Sequence, residues 1–219
     1  MYVMLEKKII GLKRDLAEYA SLVENMIETS ITGLREKNES YLTKVIEVDE
    51  PKANDFELEM EESCIALIAQ FQPKARELRT ILMVMKMTND LERMADHAVN
   101  IAESSIFLIE RPVVKPLLDI PRMADLTIKM LKDAINSFIN EEPVLAKEVC
   151  MRDNEVDSLE EQVLRELITY MTSDTSTIER ALHLVRITKN LERIADLSTN
   201  ISEDTIFMVE GRVIKHHKV

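Results

Sequence analysis

Residues 82–111 align with residues 182–211 at a fixed offset of 100, without a gap. Leu82, Thr88, Leu91, Glu92, Arg93, Ala95, Asp96, Asn100, Ile101, Glu103, Ile106, Phe107 and Glu110 all recur 100 places later, 13 identities in 30 positions. Ordinary composition gives about two. A weaker match precedes it, in which Glu50, Asn54 and Glu57 align with Asp153, Asp157 and Glu160. A repeat of this kind confines the fold to two copies of one unit stacked on each other.

The unit is helical. The chain has only 3 Gly and 6 Pro, while Leu, Met, Ala, Glu and Lys, which lose little rotamer freedom in a helix, are plentiful. No alternating β-branched run bounded by turn residues is present. Helices are expected at roughly 4–38, 41–70, 73–110, 121–140, 143–171 and 176–210, with Asn38-Glu39-Ser40 marking the first joint. Pro73 and Pro143 are read as helix starts, where proline is tolerated. Ser176-Thr177-Ile178-Glu179 reads as a capping box, and Gly211 as the stop of the last helix. The segment 111–121 carries three prolines, Pro112, Pro116 and Pro121, and cannot be helical throughout. The expectation is therefore an all-α chain of six long antiparallel helices, forming two homologous three-helix bundles by internal duplication. The first bundle takes residues 1–111; the linker and second bundle take residues 112–219.

A net charge of −12 and the lack of a basic stripe argue against nucleic acid, whose phosphates need neutralising. Cys64 and Cys150 stand alone in apolar helical patterns and read as buried thiols, neither a disulfide framework nor a zinc motif. Charge interrupts Met1-Tyr2-Val3-Met4-Leu5-Glu6-Lys7-Lys8 at once, unlike a signal peptide. No apolar run approaches the roughly 18 residues of a membrane span. A cytoplasmic protein without membrane insertion is expected.

With Glu92 at zero on a helical wheel, Asp96 falls at about 40°, Asn100 at about 80° and Glu103 at about 20°. Four oxygen-bearing side chains thus share one stripe beside the apolar arc. Glu192, Asp196, Asn200 and Glu203 repeat it. Glu50-Asn54-Glu57 and Asp153-Asp157-Glu160 each fall on one stripe of the preceding helix. Carboxylates at i, i+4 repel by a few tenths of a kcal/mol per pair, yet both copies keep them. A bound cation reverses that sign, and oxygen-rich, cysteine-free sites suit hard cations such as Mg²⁺, Ca²⁺, Mn²⁺ or iron. The alternative is a solvated acidic face with Arg93 and Arg193 as local ion-pair partners.

A ferritin-like di-iron centre needs Glu-x-x-His, and the third residue after Glu92 is Ala95, after Glu192 Ala195. His97 faces Leu197 in the repeat and reads as a packing or supporting residue. No nucleophile–base pair or glycine-rich phosphate loop is present, so no catalytic residue and no organic cofactor is assigned. A carboxylate-bridged metal store, or a metal-dependent hydrolytic bundle, is the competing class.

Asn190-Leu191-Glu192-Arg193-Ile194-Ala195-Asp196, continuing through Thr199-Asn200-Ile201-Ser202-Glu203-Asp204 to Phe207-Met208-Val209-Glu210-Gly211, resembles the signature of the PhoU family. So does Asp90-Leu91-Glu92-Arg93-Met94-Ala95-Asp96-His97-Ala98-Val99-Asn100-Ile101-Ala102-Glu103, and the resemblance extends over essentially the whole chain. It implies a cytoplasmic, non-enzymatic accessory protein of high-affinity phosphate transport. Such a protein represses the phosphate-starvation response, acting between the ATPase subunit of the phosphate ABC transporter and a sensor histidine kinase, here as a homodimer. It also implies metal ions, divalent or trivalent (iron, zinc, magnesium or manganese), held by Glu/Asp-x-x-x-Asp motifs. Carried over, the ligands are Glu92, Asp96, Glu192, Asp196, Asp153 and Asp157, with Asn100, Glu103, Asn200 and Glu203 on the same stripes. Asn54 departs from the pattern where the other half has Asp157.

Overall fold

The computed structural model describes residues 2–210. Helices are α1 (Tyr2–Glu36), α2 (Glu39–Lys44), α3 (Glu50–Phe71), α4 (Ala75–Ile109), α5 (Asp119–Asn140), α6 (Pro143–Ser173) and α7 (Ile178–Glu210). A π-helical turn, Val45–Asp49, joins α2 to α3 without a break, so the two make one rod. A 3₁₀ turn, Thr175–Thr177, leads into α7. Six rods result, and no strand occurs among the described residues.

Several boundaries differ from expectation for local reasons. Gln72 takes a left-handed conformation, φ 47°, so the chain turns there and buries Pro73 in the corner; α4 starts two residues later, after an extended Lys74. Ser176 does not cap the last helix. Its N–H is itself capped by the Asp174 carboxylate at 2.9 Å, because the 3₁₀ turn has already begun. Pro121 lies inside the first turn of α5, where the missing N–H has no partner to lose. The linker therefore ends at Leu118. The buried Lys115 ammonium anchors it, paired with Asp119 at 2.8 Å and with Glu166. Gly211 lies outside the described residues. A Cβ on Gly33 would stand 2.5 Å from Leu42 Cδ2, so the close α1–α2 corner depends on that glycine.

α1, α3 and α4 pack as one three-helix bundle and α5, α6 and α7 as the other; α4 lies on α7 and α1 on α5. Ile81, Val84, Met87, Leu91, Met94, Ala98 and Ile101 recur at helical spacing along α4 and are fully buried. Each of these side chains except the smaller Ala98 contributes about 1.5–3 kcal/mol by leaving water. Buried side chains from both halves form one continuous core.

The duplication extends through every rod. Leu16, Tyr19, Ala20, Val23, Met26 and Ile27 of α1 are buried, and so, 104 residues later, are Ile120, Met123, Ala124, Thr127, Met130 and Leu131 of α5. Leu42, Val45 and Asp49 recur at the same spacing as Ala146, Val149 and Asp153. Beyond the π turn the spacing drops to 103, with Ala53, Met60 and Cys64 answering to Val156, Val163 and Leu167. A π turn absorbs one extra residue without rotating the helix on either side. The counterpart of Asp153 is thus Asp49, buried at 2% exposure against 7%, and not Glu50, which the ungapped alignment pairs with it.

Candidate metal centres

In the second half, α6 and α7 bring Glu160 and Asp157 beside Glu192 and Asp196. Burial, and then the charges of Asp196, Glu160 and Asp157, push the Glu192 carboxyl up to about 7 from 4.5, against the opposing pull of Arg193. Glu160, Glu192, Asp196 and Asn200 line a cavity of about 420 Å³ together with the basic groups of Arg93, His97, Lys189 and Arg193. The carboxylates thus repel one another in a half-buried groove, and a cation between them would relieve that repulsion.

In the first half, α3 and α4 gather Glu57, Glu92 and Asp96. Burial and the Asp96 and Glu57 charges raise the Glu92 carboxyl; burial and the Glu61 and Asp96 charges raise Glu57. The Tyr19 hydroxyl lies against this group. It is fully buried and has no hydrogen-bond partner among the described residues. Burial first, then Glu57, Glu92 and Asp96, hold its proton on well above the usual phenol range.

Of the residues singled out in the sequence, Glu92 and Asp96, and Glu192, Asp196 and Asp157, therefore meet within their halves. Asn200 joins the second cavity. Asn100 spends its amide N–H on the Asp96 carbonyl at 2.9 Å and is exposed, as is Glu103. Asp153 and Glu203 lie beside the Cys150 thiol, which burial and those two charges push up to about 11. Asp49, the first-half counterpart of Asp153, is paired with Lys44 and stands 3.8 Å from Lys52, so two ammonium groups already neutralise it. Asn54 is exposed. Among the described residues no three His, Cys, Asp or Glu side chains are drawn together tightly enough to hold a metal ion as they stand. The donors are all oxygens and most are carboxylates that repel one another, which is the chemistry a hard cation would draw inward.

His97 has a place that the repeat hides. It belongs to α4 yet lines the second-half cavity. Its Nδ1 lies 2.8 Å from Asn190 Oδ1, and Asn190 Nδ2 donates to the Arg186 carbonyl at 2.7 Å, which leaves Oδ1 as the acceptor. The ring therefore donates from Nδ1, and burial with the nearby Arg193 and Arg93 charges holds its pKa below the ordinary value. Lys189 in this cavity, Asp49 and Tyr19 are not picked out by the sequence, which offers Arg93 and Arg193 only as local ion-pair partners. The only signal for Asp49 and Tyr19 is the core periodicity of α1 and α3 read against α5 and α6.

The family model of the PhoU domain matches residues 16–105 and 120–205, one copy per bundle. A protein of Aquifex aeolicus named phosphate-specific transport system accessory protein PhoU homolog is 38% identical over 215 residues, 98% of this chain and 97% of its own length. A Thermotoga maritima protein, PhoU homolog 2 by name, is 36% identical over 212 residues, 97% of this chain and 90% of its own. The crystal structure of PhoU from Pseudomonas aeruginosa superposes with a TM-score of 0.90 at 29% identity, covering 94% of this chain and 99% of that one. No helix among the described residues is long and apolar enough to cross a membrane.

Proposed function

Because the chain belongs to the PhoU family, we propose that it is the accessory protein of a phosphate-transport system, a cytoplasmic adaptor that works without catalysis. It represses the phosphate-starvation response when phosphate is plentiful, standing between the ATPase subunit of a phosphate ABC transporter and a sensor histidine kinase, and it works as a homodimer. The observation that carries this reading is the match of both bundles, over nearly the whole chain, to relatives named as phosphate-transport accessory proteins. Long helices with broad exposed faces suit helix-mediated docking.

Each half holds a hard cation on its acidic stripe: Glu92 and Asp96 with Glu57 in the first, Glu192, Asp196 and Asp157 with Glu160 in the second. Magnesium, manganese, iron and zinc are the ions of suitable charge. The raised Glu192 carboxyl and the unsatisfied Tyr19 hydroxyl support this assignment, since a cation among the carboxylates would favour their charged form and draw an acceptor toward the hydroxyl. A bound cation would supply charge neutralisation at the groove and stiffen the contact between the paired helices.

Deleting the gene tests the adaptor reading. Phosphate-starvation genes should then stay switched on in high phosphate, and transporter and kinase subunits should co-purify with the tagged protein at low salt. Association should weaken as salt rises, because exposed ion pairs are screened beyond about 10 Å at 0.1 M. If the genes remain repressed and neither partner co-purifies, the metal-storage or hydrolytic alternative takes its place.

A further inference from the structure

Tyr19 is the largest of the fully buried side chains. Phe56 stacks on its ring at 5.4 Å between centroids and 7° between planes, which fixes the ring in place. Its hydroxyl has lost its water and found no partner among the described residues, a loss that a purely structural core position avoids. At the matching position of the second half, Met123 is equally buried and carries no polar group.

Acceptors are nevertheless close. Glu57 on α3 and Glu92 and Asp96 on α4 are near enough for their charges to act on the phenol. Glu57 and Glu92 are half-buried and Asp96 is exposed, so these carboxylates are open to solvent. A cation among them would pull them inward. A carboxylate that binds through one oxygen leaves the other free to accept a hydrogen bond.

The geometry points to Tyr19 as a positioning residue of the first-half cation site, its hydroxyl donating to the carboxylate oxygen that the cation leaves unligated. This rests on the reading of the acidic stripes as cation sites. The two sites then differ in kind. The first has Asn54 where the second has Asp157, and so one carboxylate fewer, but one of its ligands is held by a buried donor. The second has the extra carboxylate and Met123 in place of the donor. The halves bind cations with different affinities although their main ligands match.

The test uses the full chain and Mn²⁺ as the probe, with free Mn²⁺ followed by electron paramagnetic resonance. Asp196→Asn leaves the first site to be measured alone, and Asp96→Asn leaves the second. Adding Tyr19→Phe should weaken Mn²⁺ binding at the first site about tenfold or more, the usual effect of losing an outer-shell partner, and should leave the second unchanged. Without metal, Tyr19→Phe should melt no lower than its parent, since an unsatisfied hydroxyl is removed; with Mn²⁺ its rise in melting temperature should be the smaller. Equal affinity in parent and variant, or a melting temperature lowered as much without metal as with it, makes Tyr19 a packing residue and overturns the inference alone. A parent that binds no Mn²⁺ at either site overturns the cation reading and this inference with it.

Discussion

His97 and Asn190 are joined by a hydrogen bond of 2.8 Å across the α4–α7 contact, and the positions equivalent to them, Leu197 and Asp90, cannot form one. The two sides of a near-symmetric seam are thus held by unlike chemistry. On one side a neutral imidazole meets a carboxamide. On the other, Asp90 is buried at 5% exposure with its Oδ2 unpartnered, and burial with the Asp204 charge pushes its carboxyl up to about 6, against Lys86 and Arg93.

The hydrogen bond should show as a coupling. His97→Leu and Asn190→Leu, singly and together, should give a double-mutant coupling energy of about 1 kcal/mol in urea denaturation, the ordinary net value of such a bond. A coupling near zero would mean that water replaces the contact at no loss.

Asp90 should make the protein less stable as pH rises. Its folded pKa of about 6 lies above the ordinary 3.8, so the folded state keeps the proton longer than the unfolded chain. The proton-linked stabilisation is complete below about 3.8 and is lost as pH climbs through 6. Asp90→Asn should therefore gain on the parent with rising pH, by an amount on the order of 2 kcal/mol between pH 4 and 7. Stability curves that run parallel over that range would sink the argument.

The π turn should tolerate a deletion that the rest of its rod does not. Removing Val48, which is 44% exposed, turns Val45–Asp49 into an α-helical turn, the arrangement already present in α6, and should alter stability by no more than about 1 kcal/mol. Removing the exposed Ser63 instead turns Cys64 and Leu67 by about 100° relative to Ala53 and Met60, and should abolish cooperative unfolding. Thermal melts followed by circular dichroism separate the two cases.

Cation loading should divide by halves. Asp96→Ala should lower the metal content of the first half and Asp196→Ala that of the second, each reducing the metal-dependent rise in melting temperature expected from mass action. Elemental analysis of freshly purified protein checks the content. If parent and both variants carry equal metal and show equal melting shifts, the stripes are solvated surface.

Much of this architecture is legible in the residues because helix α4 spaces its apolar side chains at three and four, and because thirteen identities recur in α7. The likeness of α1 to α5 is not legible, since core packing preserves only burial: Tyr19 answers to Met123 and Val23 to Thr127. The equivalence of Asp49 and Asp153 is hidden by a single inserted residue, which leaves the apolar spacing on each side intact. Pairing across the seam, His97 with Asn190 and Lys86 with Asp204 at 2.6 Å, leaves no trace in local periodicity because it depends on how whole rods cross. The cap at Asp174 is masked by a better-looking Ser-x-x-Glu that begins two residues on, at Ser176.

The contact of α4 with α7 has a further consequence. Where two identical subunits meet on a twofold axis, any substitution appears on both sides at once, and a histidine placed opposite an asparagine obliges the same pair to appear again at the mirrored position. A seam between two halves of one chain is free of that constraint. Here it lets a single imidazole serve the cavity of the other half, and leaves Leu197 to pack where a second histidine would stand.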